Sequence, residues 1–171
     1  MNNPTDFNPD HILKEADAFM YVYNQAMRQA SGFMFQDDSL AILITGAAFV
    51  NHAYALELYL KCILCIEGTR IEQGHSIPEI YRKVTEDTKL IIEDDYQKNV
   101  TYLEGYFDRH GHEKKVDFKS IISQIPNAFV GLRYIYENPP KKGNERYELE
   151  CISPSVRNTI LKLKPGLKGY L

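Results

Sequence analysis

Apolar residues recur at three- and four-residue spacing from close to the start of this chain. Ile12, Leu13, Ala16, Phe19, Met20, Tyr23 and Met27 fall on one stripe of a helix. Asn8 followed by Pro9 supplies an N-cap and a first helical residue, and Asp10 suits the positive end of the helix dipole. Ser31-Gly32 is expected to close this helix. Asp38 or Ser39 then caps a second, running to about Glu67 with Gly68 as its stop. Its apolar residues wrap most of the circumference, so neighbours must cover it from several sides, as for the central member of a bundle. On this rod Glu57 and Lys61 stand four residues apart, acid first. An unpaired buried carboxylate is strongly disfavoured, so Glu57 is expected to be buried and paired with Lys61 or Arg133.

A third helix is expected to open at Ser76, whose spacing to Glu79 fits a capping box and whose Pro78 lies in the first turn. Leu90, Ile91, Tyr96, Val100, Leu103 and Phe107 continue a helical pattern, as one helix with a break or as two, with the boundary near Thr85 to Thr88. Asp117 caps a short helix through Ile125, and Pro126 starts another that carries Phe129, Leu132, Ile135 and Tyr136 up to Asn138-Pro139-Pro140. Arg146 to Ile152 alternates as a short strand does, and Ser153-Pro154 is expected to cap a last short helix. The fold class read from this pattern is all-α. It is a single domain of about five to six helices with an up-and-down core over about 8–138 and a C-terminal extension over 139–171.

At 171 residues, 44% hydrophobic and 25% charged, the chain can bury a full core without disulfides. Ser39 to Leu56 carries no formal charge, but Asn51 and His52 interrupt it, Glu57 and Lys61 follow closely, and no basic flank borders it, so a membrane span is not expected. The opening residues lack the pattern of a secretory signal, and the three cysteines suit a reducing compartment, so the expectation is a cytoplasmic protein. The net charge of −3 does not advertise nucleic acid. The segment after Pro140 is nonetheless net positive, with Lys141, Lys142, Arg146, Arg157, Lys162, Lys164 and Lys168.

The run Ala55-Leu56-Glu57-Leu58-Tyr59-Leu60-Lys61, the glycine at 68, then Gly74-His75-Ser76-Ile77 and Tyr81 resembles the core of HEPN domains, the "higher eukaryotes and prokaryotes nucleotide-binding" family of helical bundles. The resemblance covers Phe49 to Val84 well and the remainder loosely. It implies a helical bundle that pairs through helical faces, and a choice among ribonuclease toxins, partners of nucleotidyltransferases and non-catalytic interaction modules.

Nuclease members of that family carry an arginine followed after four to six residues by a histidine. The histidine moves the proton of the RNA 2′-hydroxyl while the guanidinium holds the phosphate as charge develops. Here Arg133 is followed at that spacing by Asn138, which bonds but cannot exchange a proton near neutral pH. The acid–base contribution, typically ~10²–10⁴-fold, is therefore expected to be missing. Arg133 is instead expected to anchor a carboxylate, Glu57 or Glu137, or to bind an anionic ligand. A literal match at Arg70 and His75 spans an inter-helical turn, where His75 is expected to fix the turn rather than work as an acid or base.

Cys62 and Cys65 have the spacing of a redox or zinc pair, but they lie in the last turns of their helix, where the dipole disfavours thiolate, and no second pair completes a zinc site. His110 and His112 read as a surface loop, and His52 as a hydrogen-bonded core or interface residue. No Walker A loop, dinucleotide fingerprint, zincin or serine-hydrolase motif is present. The expectation is a homodimeric, cofactor-free and metal-free HEPN-like module, non-catalytic, that binds a protein partner, a nucleotide or RNA, in the manner of a nucleotidyltransferase or antitoxin partner. Its candidate binding residues are Arg133, Tyr134, Tyr136, Glu57 and Lys61. The alternatives are a metal-independent endoribonuclease toxin or phage-defence effector, and an RNA-binding module that uses the basic C-terminal tail.

Overall fold

In the computed structural model, which describes residues 7–33, 38–71, 73–107, 118–125 and 145–171, the Asn8-Pro9 pair begins a helix as its chemistry dictates. The Asn8 side-chain oxygen accepts the Asp10 N–H at 2.9 Å and so satisfies one of the open donors at the helix start. This helix, α1 (Pro9–Phe33), ends one residue beyond the expected Ser31-Gly32 stop, and α2 (Asp38–Ile66) follows. The end of α2 is a Schellman motif: the Thr69 N–H reaches the Leu64 carbonyl at 2.8 Å and the Gly68 N–H reaches Cys65 at 3.2 Å. Gly68 adopts a φ of 70°, which a residue without Cβ enters without strain.

The two long helices run antiparallel. Phe19 meets Tyr54 edge to face with ring centroids 4.4 Å apart, Tyr23 contacts Phe49 and His52, and the Cys62 thiol reaches back to the Pro9 carbonyl. Ser39–Ile66 is long and apolar enough to cross a membrane by length and composition alone, and 44% of its most apolar window is buried inside the bundle.

After the turn, α3 (Ile77–Arg82) and α4 (Glu86–Phe107) are separate helices. Ser76 occupies the N-cap of α3 but makes no side-chain capping bond, so the expected capping box does not form. The break before α4 is pinned from the end of α2, where the Glu67 carboxylate accepts the Thr85 N–H and hydroxyl. α5 (Phe118–Gln124) is one short helix, and its Phe118 packs between the rings of Tyr81 and Tyr96. The expected helix from Pro126 to Tyr136 lies outside the described residues.

The expectation over 146–152 is overturned. That stretch belongs to α6 (Glu145–Leu163), which continues through Pro154, and no strand occurs among the described residues. The deciding period appears only across the proline: Cys151, Ile152, Ser155, Val156, Thr159 and Ile160 are all buried, in the i, i+1, i+4, i+5 rhythm of one helix face. Two polar members are satisfied locally, since the Ser155 and Thr159 hydroxyls donate to carbonyls four residues back. Cys151, Ile152, Val156 and Ile160 pack in the same hydrophobic core as the buried residues of α1 and α2.

Pairings set the topology. His52 meets Ser153, and Tyr59 and Arg157 bond the same oxygen of Asp17, so α6 runs parallel to α2. Asn99 meets Ser155 while Asp95 meets Asn158 and Lys162, so α6 runs antiparallel to α4. The result is an all-α, up-and-down bundle in which α2 is flanked by α1 and α6.

Candidate functional site

A buried acid holds three parts of the chain together. Asp17 lies on the apolar stripe of α1 between Leu13, Ala16 and Met20, and no part of it reaches solvent. Its Oδ1 accepts the Tyr59 hydroxyl from α2 at 2.7 Å and Arg157 Nε from α6 at 2.7 Å. Its Oδ2 accepts Arg157 Nη2 at 3.0 Å and the Tyr170 N–H at 2.7 Å, with the Leu171 N–H at 3.3 Å. Burial pushes the Asp17 carboxyl up, but the bonds from Arg157 and Tyr59 outweigh it and hold the group below the usual carboxylate range. Arg157 is raised in turn by its bonds to Asp17. Burial and the hydrogen bond to Asp17 push the Tyr59 phenol far up, so it stays a donor.

Beside this cluster a pocket of about 660 Å³ opens between α1 and α6. Met20, Tyr23, Asn24, Met27, Arg28 and Ser31 follow one another on α1 at helical spacing and form one wall. Ser153, Pro154, Arg157 and Asn158 of α6 form the other, with Tyr59 and Leu171 between them. Its volume is in the range that a small organic ligand fills, and its lining mixes apolar side chains with several polar groups. Among the described residues, the charged side chains that line it are those of Arg28 and Arg157. Arg157 is matched by Asp17 behind it and also donates to the Leu171 oxygen at 2.6 Å, whereas Arg28 is exposed and has no ion pair among the described residues.

Ser153 of the pocket wall stands 2.7 Å from His52 Nε2, the separation of a nucleophile and its base. The surroundings do not support that chemistry. Pro154 removes the N–H that would follow the nucleophile, nothing among the described residues bonds His52 Nδ1, and burial lowers the imidazole to about 4. A neutral imidazole bonded to a core hydroxyl is what remains, as the sequence reading of His52 expected.

Glu57 is fully buried and paired with Lys61 at 2.7 Å, as its position predicts. His75 Nδ1 also lies 3.0 Å from Glu57 Oε1 and so ties the inter-helical turn back to α2. Glu57 Oε2 has no hydrogen-bond partner among the described residues. Arg70 is exposed on the same turn, with no ion pair among the described residues. Arg133, Tyr134, Tyr136, Glu137 and Asn138 lie outside the described residues, as do His110 and His112. Of the residues singled out in the sequence, the structure therefore brings together Glu57, Lys61 and His75.

The thiols are quiet. Burial pushes Cys62 up to about 12 and raises Cys65, and no cluster of metal-binding side chains occurs among the described residues. Part of the basic tail is already engaged, because Arg157 is bonded to Asp17 and Lys162 to Asp95. Asp17 is the buried centre of this cluster that the sequence reading does not single out, and its signal is present: an acid at the i+4 position from Leu13 on an otherwise apolar stripe. No family model, no curated protein and no solved structure matches this chain.

Proposed function

We propose that this chain is a HEPN-like, non-catalytic binding module that takes a ligand carrying an anionic group in the pocket between α1 and α6. A single observation carries the reading. The pocket has apolar side chains and two guanidinium groups, but among the described residues its lining holds no histidine, aspartate, glutamate or cysteine, so it has the means to hold a ligand and lacks the side chains that usually move its protons. Asn138 in place of a histidine after Arg133 supports the same conclusion from the sequence. A nucleotide or an RNA segment is the ligand class that the family resemblance favours. A second copy of the chain is the proposed partner, supported by Leu40, Ile42 and Leu43, which the first turns of α2 leave exposed.

The test pairs binding with cleavage. Nucleoside monophosphates are expected to raise the melting temperature, and Arg28→Glu to abolish that rise. Single-stranded RNA is expected to stay intact from pH 6 to 8, with a trace of cleavage restored by Asn138→His. Light scattering at tens of micromolar is expected to give the dimer mass.

One observation favours the ribonuclease reading instead. The buried Glu57 carboxylate orients a half-exposed His75 ring, and Arg70 lies five residues before it, which is an arrangement of base and orienting group. RNA cleavage by the purified protein that disappears with His75→Ala would establish that second reading and displace the first.

A further inference from the structure

Along its first turns α2 keeps one line of apolar side chains out of the core. Leu40, Leu43, Ala47, Val50 and Tyr54 recur at spacings of three, four, three and four residues and are exposed or half-buried, whereas Ala48, Phe49, His52 and Ala53 among them are buried. Alternating steps of three and four make the seam that keeps facing a second helix over several turns. Leu43 is 65% exposed on this line. Ile42 is 69% exposed but stands about 100° round the helix from Leu43, off the line. From Leu40 to Tyr54 the seam runs about 21 Å. At its far end the Phe19 ring of α1 meets Tyr54 edge to face, and Val22, one turn on from Phe19, is 47% exposed.

Whatever covers this seam must be uncharged along its length. No Asp, Glu, Lys or Arg occurs from Ser39 to Leu56, and the amide of Asn51 at its border is satisfied within its own helix, donating to the Ala47 carbonyl at 2.8 Å. A charged partner would lose the hydration of its charge there without gaining a counterion. A lipid surface is disfavoured for another reason. Helices that lie on membranes carry basic residues beside their apolar face, whereas the nearest charges along the chain on either side of this seam are the acids Asp38 and Glu57.

The seam also fits itself. Leu40 and Tyr54 stand seven residues to either side of Ala47, with Leu43 four before it and Val50 three after it. Turned end over end about Ala47, the line meets its own image, Leu40 against Tyr54, Leu43 against Val50 and Ala47 against Ala47. That is the requirement of a two-fold interface, in which one patch serves both subunits. The smallest side chain falls at the centre, where two packed helices come to about 8 Å between axes.

We propose that α2 pairs antiparallel with α2 of a second copy along this seam, with the two-fold axis at Ala47. The inference rests on the proposed pairing of two copies and adds to it the face, the direction and the register.

Cysteine cross-linking reads that register directly. Cys62 and Cys151 are buried, so Cys65→Ser gives a background without an accessible thiol. In it Ala47→Cys is expected to form a disulfide between copies under mild oxidation, because at the axis the two Cα atoms come within the ~7 Å that a disulfide spans. Leu43→Cys and Val50→Cys are expected to cross-link poorly alone and readily when mixed. Leu43→Glu changes a side chain that folding leaves exposed, so its circular dichroism is expected to be unchanged while light scattering at tens of micromolar falls to the monomer mass. Ile42→Glu is expected to keep the dimer mass. A dimer indifferent to Leu43→Glu and without the Ala47→Cys cross-link would overturn this seam and leave the pairing of copies intact. Leu43→Cys cross-linking as fast alone as in the mixture would overturn the antiparallel register. The monomer mass for the unaltered chain would overturn both the seam and the pairing. A monomer that binds lipid vesicles and is released by Leu43→Glu would put a lipid surface on the seam and end the proposal.

Discussion

Asp17 of α1 and Arg157 of α6 stand 140 positions apart in the chain and form a two-pronged ion pair, Nε to Oδ1 at 2.7 Å and Nη2 to Oδ2 at 3.0 Å, with the carboxylate fully buried. The planar fork of a guanidinium matches a carboxylate in a way a lysine ammonium cannot. Removing Arg157 strands a charge in the bundle, so Arg157→Ala is expected to cost ~3–5 kcal/mol, measured by urea unfolding. Arg157→Lys is expected to recover only part of that. A loss within ~0.5 kcal/mol would show that Asp17 is not held as described.

Glu57 and Lys61 test a second buried pair. Glu57→Ala leaves the Lys61 ammonium, only 14% exposed, without its partner and is expected to destabilise the fold by ~3–5 kcal/mol. Adding Lys61→Met replaces the stranded charge with an apolar side chain of similar length. The double variant is therefore expected to be more stable than Glu57→Ala alone, and additive losses would refute a coupled pair.

His52 sets a pH dependence with a definite sign. The imidazole titrates near 6.5 in the unfolded chain and, because burial disfavours its charged form, near 4 in the folded one. Between those values the unfolded state holds the extra proton, so stability falls as the pH drops. Above 6.5 the contribution is complete, and from there to about 4 it declines at ~1.4 kcal/mol per pH unit. His52→Leu is expected to be less stable at neutral pH, because the Ser153 hydroxyl loses its partner, and to lack that slope. Urea titrations at pH 7, 6 and 5 that give parallel losses for both proteins would contradict the assignment.

Gly68 allows a direct backbone test. Its φ of 70° is reached at a steric cost by any residue with a Cβ, and the space around it is otherwise open. Gly68→Ala is expected to lower stability by ~1 kcal/mol with no change in helix content by circular dichroism.

The starts and stops of α1 and α2 were legible from sequence because their causes are local. Asn8 and Pro9 act on the turn that follows them, Gly68 acts on the turn that precedes it, and the apolar stripe of α1 repeats over enough residues to fix its period. The burial of Glu57 beside Lys61 was legible for the same reason, since both stand on one helix face. The stretch from Arg146 to Ile152 was not, because seven residues carry too little pattern to separate two periods. Tertiary packing decided it, when the buried face of α6 continued through Pro154 against α2 and α4. The pocket was hidden more deeply. Asp17, Tyr59 and Arg157 come from three helices, and a carboxylate and a guanidinium 140 residues apart declare nothing about each other until the parallel setting of α6 on α2 brings both to the same end of the bundle. The sequence by itself determined the helices and which of their faces is apolar, because those follow from neighbours three or four residues away. Which polar groups share the buried space was decided only by the tertiary structure, because a buried charge is tolerated only where chain packing delivers its partner.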